Sequence, residues 1–202
     1  DVHGKNHHKA GTFGQHVLEI ELAGADGRTA TVTPESDPAL FKATIGGLGQ
    51  TGAILSAKIR MIPCSSRLIQ VDERRAANLA EFMEMLKASN ATYCVGWIDG
   101  TANGRSLGRA ILEEAELTSS NMAPKLRKPR KVPFNAPHFA LSPPTVRLFN
   151  RMYFNRIPKQ GRGVLRSLKD FFFPLDKIHD WNKLYGKRGF HQFQCVLPDK
   201  TA

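Results

Sequence analysis

The chain has 202 residues, with 29 lysines and arginines against 18 aspartates and glutamates, a formal net charge of +11. A composition of 41% hydrophobic and 23% charged residues suits a folded protein with an ordinary core and excludes a disordered tail or a collagen-like repeat. No run of about eighteen apolar residues is present to cross a bilayer as a helix. Cys64, Cys94 and Cys195 supply neither a disulfide framework nor a Cys-x-x-Cys zinc pair.

Val17 to Leu22 alternates apolar and acidic side chains and predicts a half-buried strand. Ala25-Asp26-Gly27 turns the chain back into Thr29 to Thr33, whose β-branched residues suit the hairpin partner. Ser36 or Asp37 can cap a short helix, with Pro38 in its first turn and Leu40, Phe41 and Ile45 as its apolar face. Gly46-Gly47-Leu48-Gly49 ends that helix, Ala53 to Met61 predicts a buried strand, and Pro63 closes the unit. Arg67 to Val71 then reads as a strand, and Ala76 to Ser89 as a helix with Leu79, Phe82, Met83 and Leu86 on one face. Ala91 to Ile98 and Ser106 to Leu112 are further strands. Residues 118–163 are rich in proline and basic residues, and their lack of periodicity predicts a long loop or mobile cover. Gly163 to Phe172 predicts a short helix and Arg188 to Leu197 a closing strand. The pattern is α+β with mostly antiparallel strands.

The charge is not evenly spread. Residues 1–64 are neutral, residues 65–122 carry −2, and residues 123–202 carry +13. An overall excess of this size first suggests a polyanionic partner, or simply a solvated face. Lys125, Arg127, Lys128, Arg130 and Lys131 fall within seven residues, with no aromatic between them to stack on bases. Nucleic acid is therefore not the expected partner. The polar start at Asp1 and the stop soon after a strand-like run read as cuts through a larger protein.

Two motifs carry chemistry. The first, Asp1-Val2-His3-Gly4-Lys5-Asn6-His7-His8, gathers imidazoles, an ammonium and an amide beside glycines that let main chain approach a ligand. It reads as a ligand site or as a polar loop; it lacks the Cys or carboxylate spacing of a metal centre, so no metal is expected. The second, Gly46-Gly47-Leu48-Gly49-Gln50-Thr51-Gly52, has neither a Walker ending nor the strand-then-helix context of a dinucleotide fingerprint. It is a tight helix-to-strand turn, suited to pressing main chain against a planar cofactor.

Together, DVHGKNHHKAGTFGQH and LFKATIGGLGQTGAI resemble the FAD-linked oxidases of the vanillyl-alcohol oxidase type. YCVGWIDG, PKLRKPRKVPFNAPHFAL and FFFPLDKIHDWNKLYGKRGFHQFQCVLP agree in order with the branch that acts on polyprenyl-phosphate pentoses. The resemblance covers essentially the whole chain. It implies that residues 1–64 are the distal half of a PCMH-type FAD-binding domain. Residues 65–202 would be the first part of an antiparallel-sheet substrate domain.

Carried over by position, Asp1, Val2, His3, Gly49 and Ile54 would contact FAD. His3 and Lys5 would face the substrate side, where donors and cations stabilise charge arriving on the flavin. Lys5, Trp97, Phe172, Gln192 and Gln194 would meet the substrate, and Phe172 stands where relatives tend to have tyrosine. On residues alone, Trp97 reads equally as a core tryptophan. Gln192 and Gln194 share one face of their strand, toward a sugar or toward solvent. His7, His8 and His16 are read as structural, and the run Phe171 to Leu175 as mostly core.

The implied activity is oxidation of a sugar hydroxyl to a ketone with hydride passing to flavin, the oxidative half of an epimerisation in cell-wall synthesis. A lipid-linked sugar phosphate and an NAD(P)H-dependent reductase are the implied partners, with peripheral membrane contact through the basic segment. A soluble alditol- or aldonolactone-type oxidase is the alternative enzyme. A basic membrane- or nucleic-acid-binding module without catalysis is the alternative outside enzymes.

Overall fold

A computed structural model describes residues 11–120, 122–124, 128–186 and 189. Strand β1 (Val17–Ala23) pairs antiparallel with β2 (Thr29–Val32) on one side and β3 (Ala53–Ile59) on the other. Helix α1 (Pro38–Thr44) packs Leu40, Phe41 and Ile45 against Val17, Ile20, Leu22 and Val32. Of the two predicted caps the structure uses Asp37, whose side chain accepts from the Leu40 N–H at 3.0 Å, with Pro38 following it. Such a cap contributes about 1 kcal/mol.

The predicted burial of the third strand is not observed: β3 is exposed along its whole length. It forms the edge of the sheet, and among the described residues the strands that feed the core under α1 are β1 and β2, with Phe13 beside them. Ile54, Leu55, Ile59, Met61 and Ile62 are consequently exposed. An apolar run shows that a strand can be buried, and only the neighbouring elements decide whether it is.

Residues 60–67 lead to a second antiparallel sheet, ordered β5-β6-β4-β8. Its strands are β4 (Leu68–Ala76), β5 (Tyr93–Ile98), β6 (Ala110–Leu117) and β8 (Arg162–Ser167). Helix α2 (Leu79–Ala88) covers one face, with Phe82, Met85 and Leu86 on Ala76, Cys94, Ala110 and Leu112. Gly96 is dictated by this packing, because a Cβ there would lie 2.3 Å from the Phe82 ring. The predicted α2 begins too early, since Ala76 still belongs to β4, and Leu79 and Met83 of its apolar face are exposed. The strand expected from Ser106 starts at Ala110, after a 3-10 turn.

Two further expectations are corrected. Residues 118–163 are not one irregular cover: they contain β7 (Arg130–Lys131), a 3-10 turn at His138–Leu141 and helix α3 (Pro143–Asn155). The predicted helix at 163–172 is strand β8 followed by the five-residue helix α4 (Leu168–Phe172). β7 pairs in parallel with β9 (Ile178–His179). The predicted strand from Arg188 lies outside the described residues, apart from Gly189.

Candidate active site

The glycine turn between α1 and β3 divides its glycines by role. Gly47 and Gly52 are closed in, since a Cβ would lie 2.1 Å from the Ala43 carbonyl and 2.4 Å from that of Ala23. Gly46 and Gly49 take φ of 72° and 75°, and a Cβ on either would meet no atom of the described residues within 4 Å. Main chain there is bare on its outer side. Leu48 between them also has positive φ, 54°, which costs a side-chain-bearing residue about 1 kcal/mol. The buried Thr44 hydroxyl fixes the turn from below, donating to the Leu40 carbonyl at 2.7 Å and standing 3.0 Å from Thr51 Oγ1. Gly49 thus offers open backbone, and Ile54 an exposed apolar side chain two residues past the turn.

A cleft of about 570 Å³ lies nearby, between Thr12, Gln15, Pro34, Phe41 and Ile45. Neither Gly49 nor Ile54 lines it. It does not coincide with the expected cofactor contact.

The second sheet carries aromatic and charged side chains on the face opposite α2. Alternation along β5 puts Tyr93, Val95 and Trp97 there, with register partners Ala115, Glu113 and Ile111 on β6. Glu73 of β4 stands opposite Glu113 on one side and Arg162 on the other. Like charges directly opposed repel, so this pair requires cations. Arg162 and Arg166 from β8 and Arg156 from the end of α3 all bind Glu73, and Arg156 and Arg166 also bind Glu113.

Glu73 is fully buried. Burial alone would raise its carboxyl, but Arg162, Arg166 and Arg156 hold it below the ordinary range. The same pairing raises Arg166 against the effect of burial. Both carboxylates are committed to guanidinium partners, so proton abstraction is not their chemistry.

Aromatic groups flank this ionic centre. At one end Phe172 meets Tyr93 edge-on, with ring centroids 4.9 Å apart, and Phe171 is buried among Ile69, Val71 and Ala115. At the other end Trp97 lies 4.8 Å from the ring of Tyr153 on α3, and the Arg156 guanidinium sits 4.3 Å over that ring. Trp97 and Phe172 therefore share one sheet face, at opposite ends of a strand segment roughly 13 Å long. Of the aromatic run expected to be core, only Phe171 is buried; Phe172 is half-buried, and Phe173 and Leu175 are exposed.

Helix α3 is fastened across the Trp97 end by polar contacts. Asn150 donates to Asp99 Oδ1 at 2.7 Å, and Arg75 donates to Asn155 Oδ1 at 2.8 Å. The Phe154 ring lies between the guanidiniums of Arg75 and Arg109, at 5.0 and 4.9 Å. Asp99 is buried, and Arg109 and Thr101 donate to it as well. Burial would raise this carboxyl, but Thr101, Arg109 and Asn150 bring it down to about 2.

Of the predicted site residues, Gly49 and Ile54 lie in the turn and strand of the first sheet's unit, and Trp97 and Phe172 in a strand and the short helix α4 of the second. Asp1, Val2, His3, Lys5, Gln192 and Gln194 lie outside the described residues, as do His7, His8, Lys125 and Arg127. Glu73, Glu113, Tyr153, Arg156, Asp99 and Asn150 escaped sequence reasoning. Their one signal was Glu73 following Ile69 and Val71 at inward positions of an alternating strand.

No family model matches the chain. Decaprenylphosphoryl-beta-D-ribose oxidase of Mycolicibacterium smegmatis is 36% identical over all of the chain and 47% of that protein. An uncharacterized protein of Streptomyces coelicolor is 31% identical over 89% of the chain and 53% of that protein. Cytokinin dehydrogenase 10 of Oryza sativa subsp. japonica is 42% identical over 53 residues, 26% of the chain and 10% of that protein. The chain spans about half the length of the first two relatives. Along its whole length the chain is similar to the FAD-linked oxidases of the vanillyl-alcohol oxidase type, the family of these relatives. FAD is the cofactor of that family, and the bare main chain at Gly49 beside exposed Ile54 fits contact with a flat ring.

Proposed function

We propose that the protein oxidises C2 of a polyprenyl-phosphate-linked pentose to a ketone, as the oxidative half of an epimerisation. The observation that carries this reading is the 36% identity to an oxidase of such a substrate along the entire chain. When bound, FAD would accept the hydride, and with it both electrons, from the carbinol carbon. The hydroxyl proton passes to a base, while His3 and Lys5, facing the substrate side, would stabilise the charge arriving on the flavin.

On the described residues, Gly49 and Ile54 would hold the cofactor through main-chain and apolar contact. Trp97 and Phe172 would line the substrate region with aromatic surface. An NAD(P)H-dependent reductase would consume the ketone to complete the epimerisation.

The test uses the full-length protein. Purified protein should be yellow, and its flavin band should bleach anaerobically with a polyprenylphosphoryl pentose. Bleaching by soluble alditols or sugar lactones alone would transfer the protein to the soluble sugar oxidases. Colourless protein that takes up no FAD would overturn the reading altogether.

A further inference from the structure

We propose that helix α3 lies on an anionic lipid bilayer, its outer face entering the headgroup and acyl boundary. The helix is oriented by its inner face, where Asn150, Tyr153, Phe154 and the following Arg156 make the contacts with the sheet. Apolar side chains are left outside. Leu148 and Met152, one helical turn apart, are 61% and 66% exposed, and neighbouring Phe149 is 59% exposed. Arg147 and Arg151, also exposed, repeat the same spacing beside them. Leucine, phenylalanine and methionine flanked by arginine at helical spacing is the pattern of an interfacial helix whose cations reach the headgroups.

Charge selects the occupant. From Leu117 to Lys169 the sequence has twelve basic residues and no acidic one. Arg156, Arg162 and Arg166 are neutralised by Glu73 and Glu113, while Arg147 and Arg151 have no acidic residue on their own helix to answer them. A second copy would oppose arginine to arginine. An anionic lipid surface attracts both these cations and the exposed Lys128, Arg130 and Lys131 of the same acid-free stretch. The inference rests on α3 alone and does not depend on the sugar-oxidation reading.

The test is co-sedimentation of the full-length protein with vesicles of phosphatidylcholine, either pure or one-third phosphatidylglycerol. Sedimentation is expected with the anionic vesicles, falling about tenfold with neutral ones and in high salt. Leu148→Gln with Met152→Gln, and Arg147→Gln with Arg151→Gln, should each weaken partitioning by about tenfold, with unchanged circular dichroism. In a Leu148→Trp variant the added fluorescence should be quenched by lipids brominated in their chains. Failure of the parent to sediment with anionic vesicles overturns the proposal. So does parent-like binding by both Gln pairs, which would place the contact elsewhere. So does Trp emission that is blue-shifted without vesicles and insensitive to brominated lipid, since the face would then be covered by protein.

Discussion

Glu73 shows how a single side chain can commit a sheet face to a particular set of neighbours. A carboxylate at an inward strand position is tolerable only when its partners arrive with it, and here they come from β8 and from the end of α3. Glu73→Gln should leave three guanidiniums around a neutral amide and destabilise the protein by about 3 kcal/mol, read from the denaturation midpoint. Asp99 makes a second prediction. Its folded pKa, about 2, lies below the ordinary value of 3.8, so its ionised form is favoured by folding. That contribution is fully present above the unfolded pKa and is lost as pH falls from 3.8 through about 2. It amounts to roughly 2 kcal/mol. An Asp99→Asn variant should be less stable at neutral pH, and its deficit against the parent should shrink across that acid window.

Glycines set the geometry of two elements, for different reasons. At Gly96 the constraint is space: Gly96→Ala should push α2 off the sheet through Phe82, at a cost of about 1–3 kcal/mol. Combining it with Phe82→Leu should restore part of the loss in a thermal melt, and an equal loss in both backgrounds would contradict the packing account. At Gly49 the constraint is backbone conformation, because the surrounding space is open. Gly49→Ala should cost about 1 kcal/mol of stability while weakening FAD binding more strongly, since the new methyl group occupies the bare side of the turn. Flavin retention through desalting would measure that difference. Helix α3 belongs to this scale as well. It is fixed by ion pairs, amides and cation–aromatic contacts, while its most apolar side chains face outward.

For the molecule as a whole, ligand linkage supplies a further check. Exposed Ile54 and the open turn beside it would be covered by a bound cofactor. FAD at a hundredfold excess over its dissociation constant should raise the stability of the full-length protein by about 2.7 kcal/mol. A thermal midpoint indifferent to added FAD would separate this protein from the cofactor its relatives use. The charge of +11 resolves into regions at this scale, and part of the basic excess is consumed by the buried Glu73 and the half-buried Glu113.

The sequence by itself determined the β1–β2 hairpin, α1 with its cap narrowed to Ser36 or Asp37, and the existence of α2, while the start of α2 and its buried face were decided by packing. It also carried the family resemblance, through two glycine-bearing motifs and their order. Burial of β3 was not determined locally, because an edge strand and a central strand can share one apolar run. Helix α3 was hidden because its inner face is held by Asn150, Phe154 and Arg156, so no inward apolar stripe exists to be read. The face carrying Trp97 and Phe172 was decided only in three dimensions. Its centre is an ion network joining residues up to 93 positions apart, and electrostatic pairing over that separation leaves no periodic trace in the chain.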